Sequence, residues 1–385
     1  MNRKKDHVYV WPVYTRIIHW LIASSFTIAF IFSLKENLLN LHVAVGIIFG
    51  LMLVYRIIWG FVGPQYARFS TFKLSLDKLK FYFVEKVQNR WRDISAGHNP
   101  ASSWFTIIVL VVGSIISVSG LLLYGIQEGK GYLGFLNDTY YMHMDTLYTI
   151  HTLASYTLLV WVIIHISGVL IEQFYHKTNM ALAMITGYKK AKGEDSEVGK
   201  FKGGLTYLFL IISVMVFFVS TDGRNNPFVV SKEQPKDYKH ESFTYYTECG
   251  ACHKPYPPFM LPSSSWERIQ GSLSNHFGEK ISPKMKKGEN RISLNDQTVI
   301  FNYLKNNSAD KSTREISVKV MKSLNGARGR KSITKIKYWK DVHSDIPREI
   351  FKSEKVKRKS NCFACHKNFD KGMMEDIDIH IPNNK

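Results

Sequence analysis

The sequence predicts an all-α membrane protein with five transmembrane helices, followed by a small, mainly α soluble domain. Three observations predict it. Up to about residue 222 the chain holds five long apolar runs, and ~20 helical residues suffice to cross a bilayer. Histidines recur inside those runs. Beyond them the chain turns polar and Lys-rich, and it holds all four cysteines, in two pairs.

The predicted spans are Ile17–Leu34, Leu41–Val62, Trp104–Tyr124, Leu147–Ile171 and Gly204–Ser220. Trp11, Trp20, Trp59, Trp104 and Tyr148 fall near their ends, where amphipathic rings favour the interface. The first run lacks a small-residue cleavage site and leads straight into the second, so it reads as a span and not as a cleaved signal. Short-loop charge gives the orientation. Arg3, Lys4, Lys5 and Arg16 precede span one, and seven Lys and Arg lie between Arg68 and Arg92. Six more lysines follow span four, whereas the two remaining loops carry only Lys35 and Lys130. A cytoplasmic N-terminus follows, and five crossings put the C-terminal domain outside, periplasmic in a bacterial inner membrane. The expected organisation is a membrane domain over 1–202, a fifth helix over 203–222, a linker over 223–239 and a soluble domain over 240–385.

Between spans two and three, Asp77–Arg92 carries Leu79, Phe81, Phe83, Val84 and Val87. It reads either as an interfacial amphipathic helix or as a loop helix packed on the bundle.

Ionisable residues inside spans are costly and mark function by default. His19, His42, His151 and His165 qualify. The last two lie 14 residues apart, on one helix face and ~21 Å apart in depth. His19 and His165 fall in the cytoplasmic halves of their spans, His42 and His151 in the outer halves. An inner pair and an outer pair result. Neutral imidazole ligates haem iron, and facing helices can hold a flat macrocycle. Arg56, 14 residues after His42, is placed to neutralise a propionate near the inner level, or else snorkels to the interface.

The stretches VWPVYTRIIHW, LHVAVGIIFGLMLVYRIIWGFVGPQYARF, GHNPAS and IHTLASYTLLVWVIIHISGV, followed by NMALAMITGYK, resemble the bacterial cytochrome b561 and nickel-hydrogenase cytochrome b family over residues 8–190. The resemblance implies a four-helix bundle with two b haems, electron exchange with quinone, and ligands at His19, His42, His151 and His165.

Outside the membrane part stand Cys249-Gly-Ala-Cys252-His253 and Cys362-Phe-Ala-Cys365-His366. Two thiols separated by two residues, with His next, form the c-type haem attachment signature. The thiols would bond the vinyl groups, and His253 and His366 would be proximal ligands. Attachment takes place on the outer side of the bacterial membrane, in accord with the topology. A single zinc site built from both Cys pairs is the competing arrangement. Ser264 and Glu267 suggest a capping box on a helix that ends near His276, and His343 precedes the second motif. The stretches ECGACHKPYPPFMLP, SNHFGE, DVHSDIP and NCFACHKNF resemble the diheme cytochrome c family over residues 240–383. That resemblance implies His276 and His343 as distal ligands, with His380 and Met260 in reserve. His7, His98, His143, His176 and His240 read as surface residues.

Two b haems and two c haems would make an electron conduit between the quinone pool and a soluble periplasmic redox protein. From residue 224 onward, 31 Lys and Arg face 18 Asp and Glu, an excess that favours an acidic partner or anionic lipid. The basic residues are scattered and no nucleic-acid-binding motif is present. Two other functions remain open. An unfilled iron position would suit turnover of a small redox substrate such as superoxide, and a hydrogenase anchor would pass electrons inward.

Overall fold

A computed structural model describes residues 7–35, 38–88, 96–176, 178–197, 199–221, 231–278, 281, 292–324, 332–374 and 378–382. The chain divides into two compact units, one of Met1–Tyr124 with Met142–Val230, the other of Gly125–Tyr141 with Ser231–Lys385. Residues 223–230 of the expected linker lie outside the described residues.

In the first unit the long helices are α1 (Val13–Phe32), α2 (Leu39–Val62), α4 (Pro100–Ile126), α5 (Met144–Leu170) and α7 (Lys200–Thr221). Between them lie α3 (Leu76–Val87) and α6 (Met180–Thr186). Five helices are long and apolar enough to cross a membrane. In hydrocarbon only a helix satisfies such a run of backbone groups internally. α1, α4, α5 and α7 begin three or four residues before the expected spans, because hydropathy sees the apolar stretch and not the polar first turn. Pro100 stands at the first position of α4, where its missing N–H costs nothing.

Phe26 of α1, Phe49 and Leu53 of α2, Leu110 and Ile116 of α4 and Leu158 of α5 form one buried cluster. A second cluster joins Ile18 of α1 to Met52, Tyr55 and Trp59 of α2, with Leu205 and Phe209 of α7 packed on it. The buried Tyr55 hydroxyl meets Thr206 Oγ1 at 2.6 Å. The outward faces are apolar, as Leu153, Val160, Ile163 and Ile166 of α5 show. This is the surface that lipid contacts.

α3 presents two faces. Tyr82 is buried and donates to Glu172 Oε1 at 3.0 Å, and Lys86 pairs with the same carboxylate at 2.7 Å. Glu172 belongs to a π-helical turn, Ile171–Tyr175, that continues α5. Leu76, Phe83, Val84 and Val87 are exposed on the other side. α3 is thus bolted to the bundle along one stripe and offers an apolar stripe next to it; residues 89–95 lie outside the described residues. The N-terminal β1 (Val8–Tyr9) pairs antiparallel with β2 (Tyr188–Lys189). Gly187 enables this turn with φ +91°, where a Cβ would strike Tyr9 and the Trp11 carbonyl, a conformation that favours glycine.

The second unit is built from α8 (Ser263–Gln270), α9 (Leu294–Asn306), α10 (Glu315–Leu324), α11 (Lys337–Val342) and α12 (Arg348–Lys352). Its core includes Tyr245, Trp266, Ile300, Leu304, Val320 and Ile336. The expected capping box is absent. α8 starts one residue earlier, at Ser263, and Asp310 supplies the cap, accepting from Ser263 N at 2.6 Å and from its Oγ at 2.8 Å. The helix stops at Gln270, so His276 follows a separate 3-10 turn, Leu273–Asn275.

Segment Gly125–Tyr141 is an integral part of this unit. Asn137 is 1% exposed, and its Nδ2 donates to Ile126 O at 2.6 Å and Thr313 O at 3.1 Å. Asp138 accepts from Lys232 and from Thr313 Oγ1. Glu128 faces Glu315; burial, then the Glu315 charge, pushes the Glu128 carboxyl up to about 8.

Candidate haem sites

α2 and α5 bring His42 and His151 together, with ring centroids 6.1 Å apart and planes at 82°. His42 Nδ1 meets Ala29 O at 2.8 Å, and His151 Nδ1 meets Ile116 O at 3.1 Å, beside Ser119 Oγ at 3.1 Å. A carbonyl only accepts, so Nδ1 carries the proton in both rings and Nε2 keeps its lone pair. This is the tautomer of a histidine that ligates metal through Nε2. Gly120 of α4 closes against the pair, since a Cβ there would lie 3.0 Å from His151 Cε1. Gly46, one turn after His42, has no heavy atom within 4 Å of a Cβ position.

At the other level, His165 stacks on Phe105 of α4 with centroids 4.2 Å apart and planes at 7°. His19 and His165 are near enough for their charges to interact. Two nitrogens here are buried with no hydrogen-bond partner, His19 Nδ1 and Arg56 Nη1. The Arg56 guanidinium sits 5.3 Å from the Phe69 ring centroid and 5.8 Å from that of Phe72. A buried, unanswered guanidinium nitrogen fits an anionic group such as a propionate.

His98 is not the surface residue expected. Its ring packs on Trp11 at 5.0 Å and Phe72 at 4.6 Å, and Nδ1 donates to Tyr66 O at 3.0 Å. Burial, then the Arg56 charge, holds its pKa down to about 3.

The second unit contains two more pairs. His253 and His276 lie 6.3 Å apart with near-parallel planes at 8°, and His343 and His366 also lie 6.3 Å apart, at 57°. His253 Nδ1 donates to Lys254 O at 2.8 Å and His343 Nδ1 to Trp339 O at 2.8 Å, again leaving Nε2 free to ligate. Trp339 stacks under His343 at 4.3 Å. Burial pushes the Cys249 thiol up to about 12 and the Cys362 thiol up to about 11. Among the described residues no three of His, Cys, Asp and Glu form a metal-holding group, so the four cysteines do not meet in one zinc site. Met260 is buried against Phe259 and Phe369, and His380 is exposed.

The three separations, 6.1, 6.3 and 6.3 Å, have one geometric meaning. An imidazole nitrogen lies about 2 Å from a bound first-row metal and roughly 1.1 Å from its ring centroid, so two rings across one iron stand about 6.2 Å apart. All three pairs have the ring separation that two imidazoles on one iron would require.

Tyr256 links the two pairs of the second unit. Its ring is 5.4 Å from His253, 6.0 Å from Phe363 and 5.6 Å from Phe369, which in turn is 6.4 Å from His366. Its hydroxyl donates to Ser360 O at 2.5 Å. Tyr256 and Phe105 escape a reading of the sequence because aromatic residues are common and only the fold gives them neighbours. The small residues Ser119 and Gly120 of span three are the signal that could have pointed to the close approach of His151.

Residues 10–187 match the family model described as Prokaryotic cytochrome b561, and residues 245–374 match Dihaem cytochrome c. The chain is 24% identical over 229 residues to a probable Ni/Fe-hydrogenase B-type cytochrome subunit of Rhodobacter capsulatus, covering 51% of this chain and 86% of that protein. A protein of the same description from Azotobacter chroococcum is 24% identical over 226 residues, 50% of this chain and 92% of its own length. No solved structure matches the chain.

Proposed function

Since this multi-pass membrane protein joins a prokaryotic cytochrome b561 domain, 10–187, to a dihaem cytochrome c domain, 245–374, and so serves membrane electron transfer, we propose that it carries electrons between the membrane quinone pool and a soluble periplasmic redox protein. The observation that carries this reading is the common 6.1–6.3 Å separation of three histidine pairs. Haem iron supplies one-electron chemistry when bound. His42 with His151, and His19 with His165, hold two b haems, and Arg56 neutralises a propionate of the inner one. His253 with His276, and His343 with His366, ligate two c haems attached at Cys249, Cys252, Cys362 and Cys365. Two imidazoles per iron leave no open position, which argues against turnover of a small substrate on the metal. The loop charges support an N-terminus in the cytoplasm of a bacterial cell and a second unit in the periplasm.

Anaerobic addition of a quinol to the full-length protein in lipid nanodiscs should reduce the c haems, and His151→Ala should block that reduction. A quinol that reduces no haem would overturn the proposal. The relatives described as hydrogenase subunits favour one other donor, a docked hydrogenase. Reduction of the haems by such an enzyme in quinone-free nanodiscs would identify it.

Gly120→Ala tests the outer pair more gently. The added methyl would meet His151 Cε1 at 3.0 Å, and overpacking of this kind costs ~1–3 kcal/mol. One b haem should be bound more weakly and its midpoint potential should move, with the c haems unchanged. Redox titration followed in the α-band region checks this.

A further inference from the structure

Positive charge in the second unit is not shared evenly between its two histidine pairs. Residues 238–278, which build the first pair, hold three Lys and Arg against three Asp and Glu. Residues 337–371, which build the second, hold ten against five. Lys352, Lys355, Lys357, Arg358 and Lys359 crowd into eight positions that contain one acid, Glu354, and all five are exposed. By the first pair, Lys254 is already matched by Asp370 at 3.1 Å.

This basic stretch is an anchored turn. Val356 N and Lys357 N both donate to Ser353 O, at 3.2 and 2.7 Å, and Asn361 Nδ2 donates to Val356 O at 3.0 Å. Val356 is 1% exposed and packs with Trp339 and Phe351. Lys359 Nζ lies 5.8 Å from the Trp339 ring and 5.7 Å from that of Phe351, and both rings border His343. The turn thus sets Lys359 beside the second histidine pair with four more cations close by in the chain, and three residues after Lys359 the chain reaches Cys362.

We infer that the turn over 352–359 is the docking surface for a soluble one-electron redox protein with an acidic face, and that the second pair is where electrons are exchanged with it. The inference rests on the electron-carrier reading above. Redox encounters are small, transient and electrostatically steered, and a local excess of one sign raises the association rate. The first pair then communicates with the second across Tyr256 and Phe369.

The test uses reduced full-length protein in zwitterionic nanodiscs, mixed in stopped flow with anionic ferricyanide or with cationic tris(phenanthroline)cobalt(III). The double variant Lys355→Glu/Arg358→Glu is compared with Lys305→Glu/Lys311→Glu, which makes the same charge change elsewhere in the unit. At low salt the first double should slow c-haem oxidation by ferricyanide about tenfold or more and speed oxidation by the cobalt complex. The second should leave both rates within about twofold, and at 1 M salt, where the Debye length is ~3 Å, the contrast should vanish. Equal effects of the two doubles would overturn the inference, as the charge would then be a diffuse solvating one. So would loss of the contrast in anionic nanodiscs, because lipid headgroups would then occupy the turn. A protein without covalent haem would give no c-haem signal in any variant, which would sink the electron-carrier reading itself and is recognised before any rate is measured.

Discussion

His42→Ala and His151→Ala should each yield a protein that has lost the same b haem and kept the other, with both c haems intact. His19→Ala and His165→Ala should each remove the remaining one. The warrant is geometric: His42 and His151 face each other at 6.1 Å, and each holds its Nδ1 proton on a backbone carbonyl of another helix. Removing either imidazole leaves the other alone in an apolar bundle, and a single ligand holds the cofactor far less tightly. Pyridine haemochrome analysis gives the b-haem count, and redox titration shows which component is gone. The prediction fails if His42→Ala and His165→Ala erase one spectral component together.

The second large effect is covalent. Two haem masses should remain on the chain after acid–acetone extraction, which strips the b haems. Cys362→Ala/Cys365→Ala should retain one and Cys249→Ala/Cys252→Ala the other, each seen as the loss of a single haem by intact-protein mass spectrometry. The second unit should lose much of its stability in either variant. His366 Nδ1 is buried with no hydrogen-bond partner, which costs about 1–3 kcal/mol, and ligation of iron by the same ring would offset that cost. Zinc in stoichiometric amount on these cysteines would sink the prediction.

The features legible in the sequence were those whose cause is local. A histidine within an apolar run stands out because burying it is expensive, and a Cys-x-x-Cys-His stretch stands out because its chemistry fixes its spacing. Span positions followed for the same reason. Features made by distant partners were not legible. His98 looks like a loop residue until Trp11 and Phe72 close around it. The cap of α8 comes from Asp310, 47 residues after Ser263, whereas the neighbouring Ser264 offered a plausible local alternative. Tyr82 and Lys86 converge on Glu172 across about 90 residues, and nothing near α3 announces that contact.

The segment Gly125–Tyr141 has a consequence for how such a protein could be inherited. A fusion is usually pictured as two cassettes joined at a linker, each transferable without the other. Here the C-terminal cassette is incomplete, because it borrows Asn137 and Asp138 from a loop that the ribosome delivers long before the rest; Asn137 and Thr313 are 176 positions apart. Transplanted behind a different set of membrane helices, residues 231–385 would leave the Thr313 carbonyl and Lys232 without these partners, with Glu315 facing no Glu128. A change in the loop between two helices is therefore felt in a domain whose main stretch begins about 90 residues downstream.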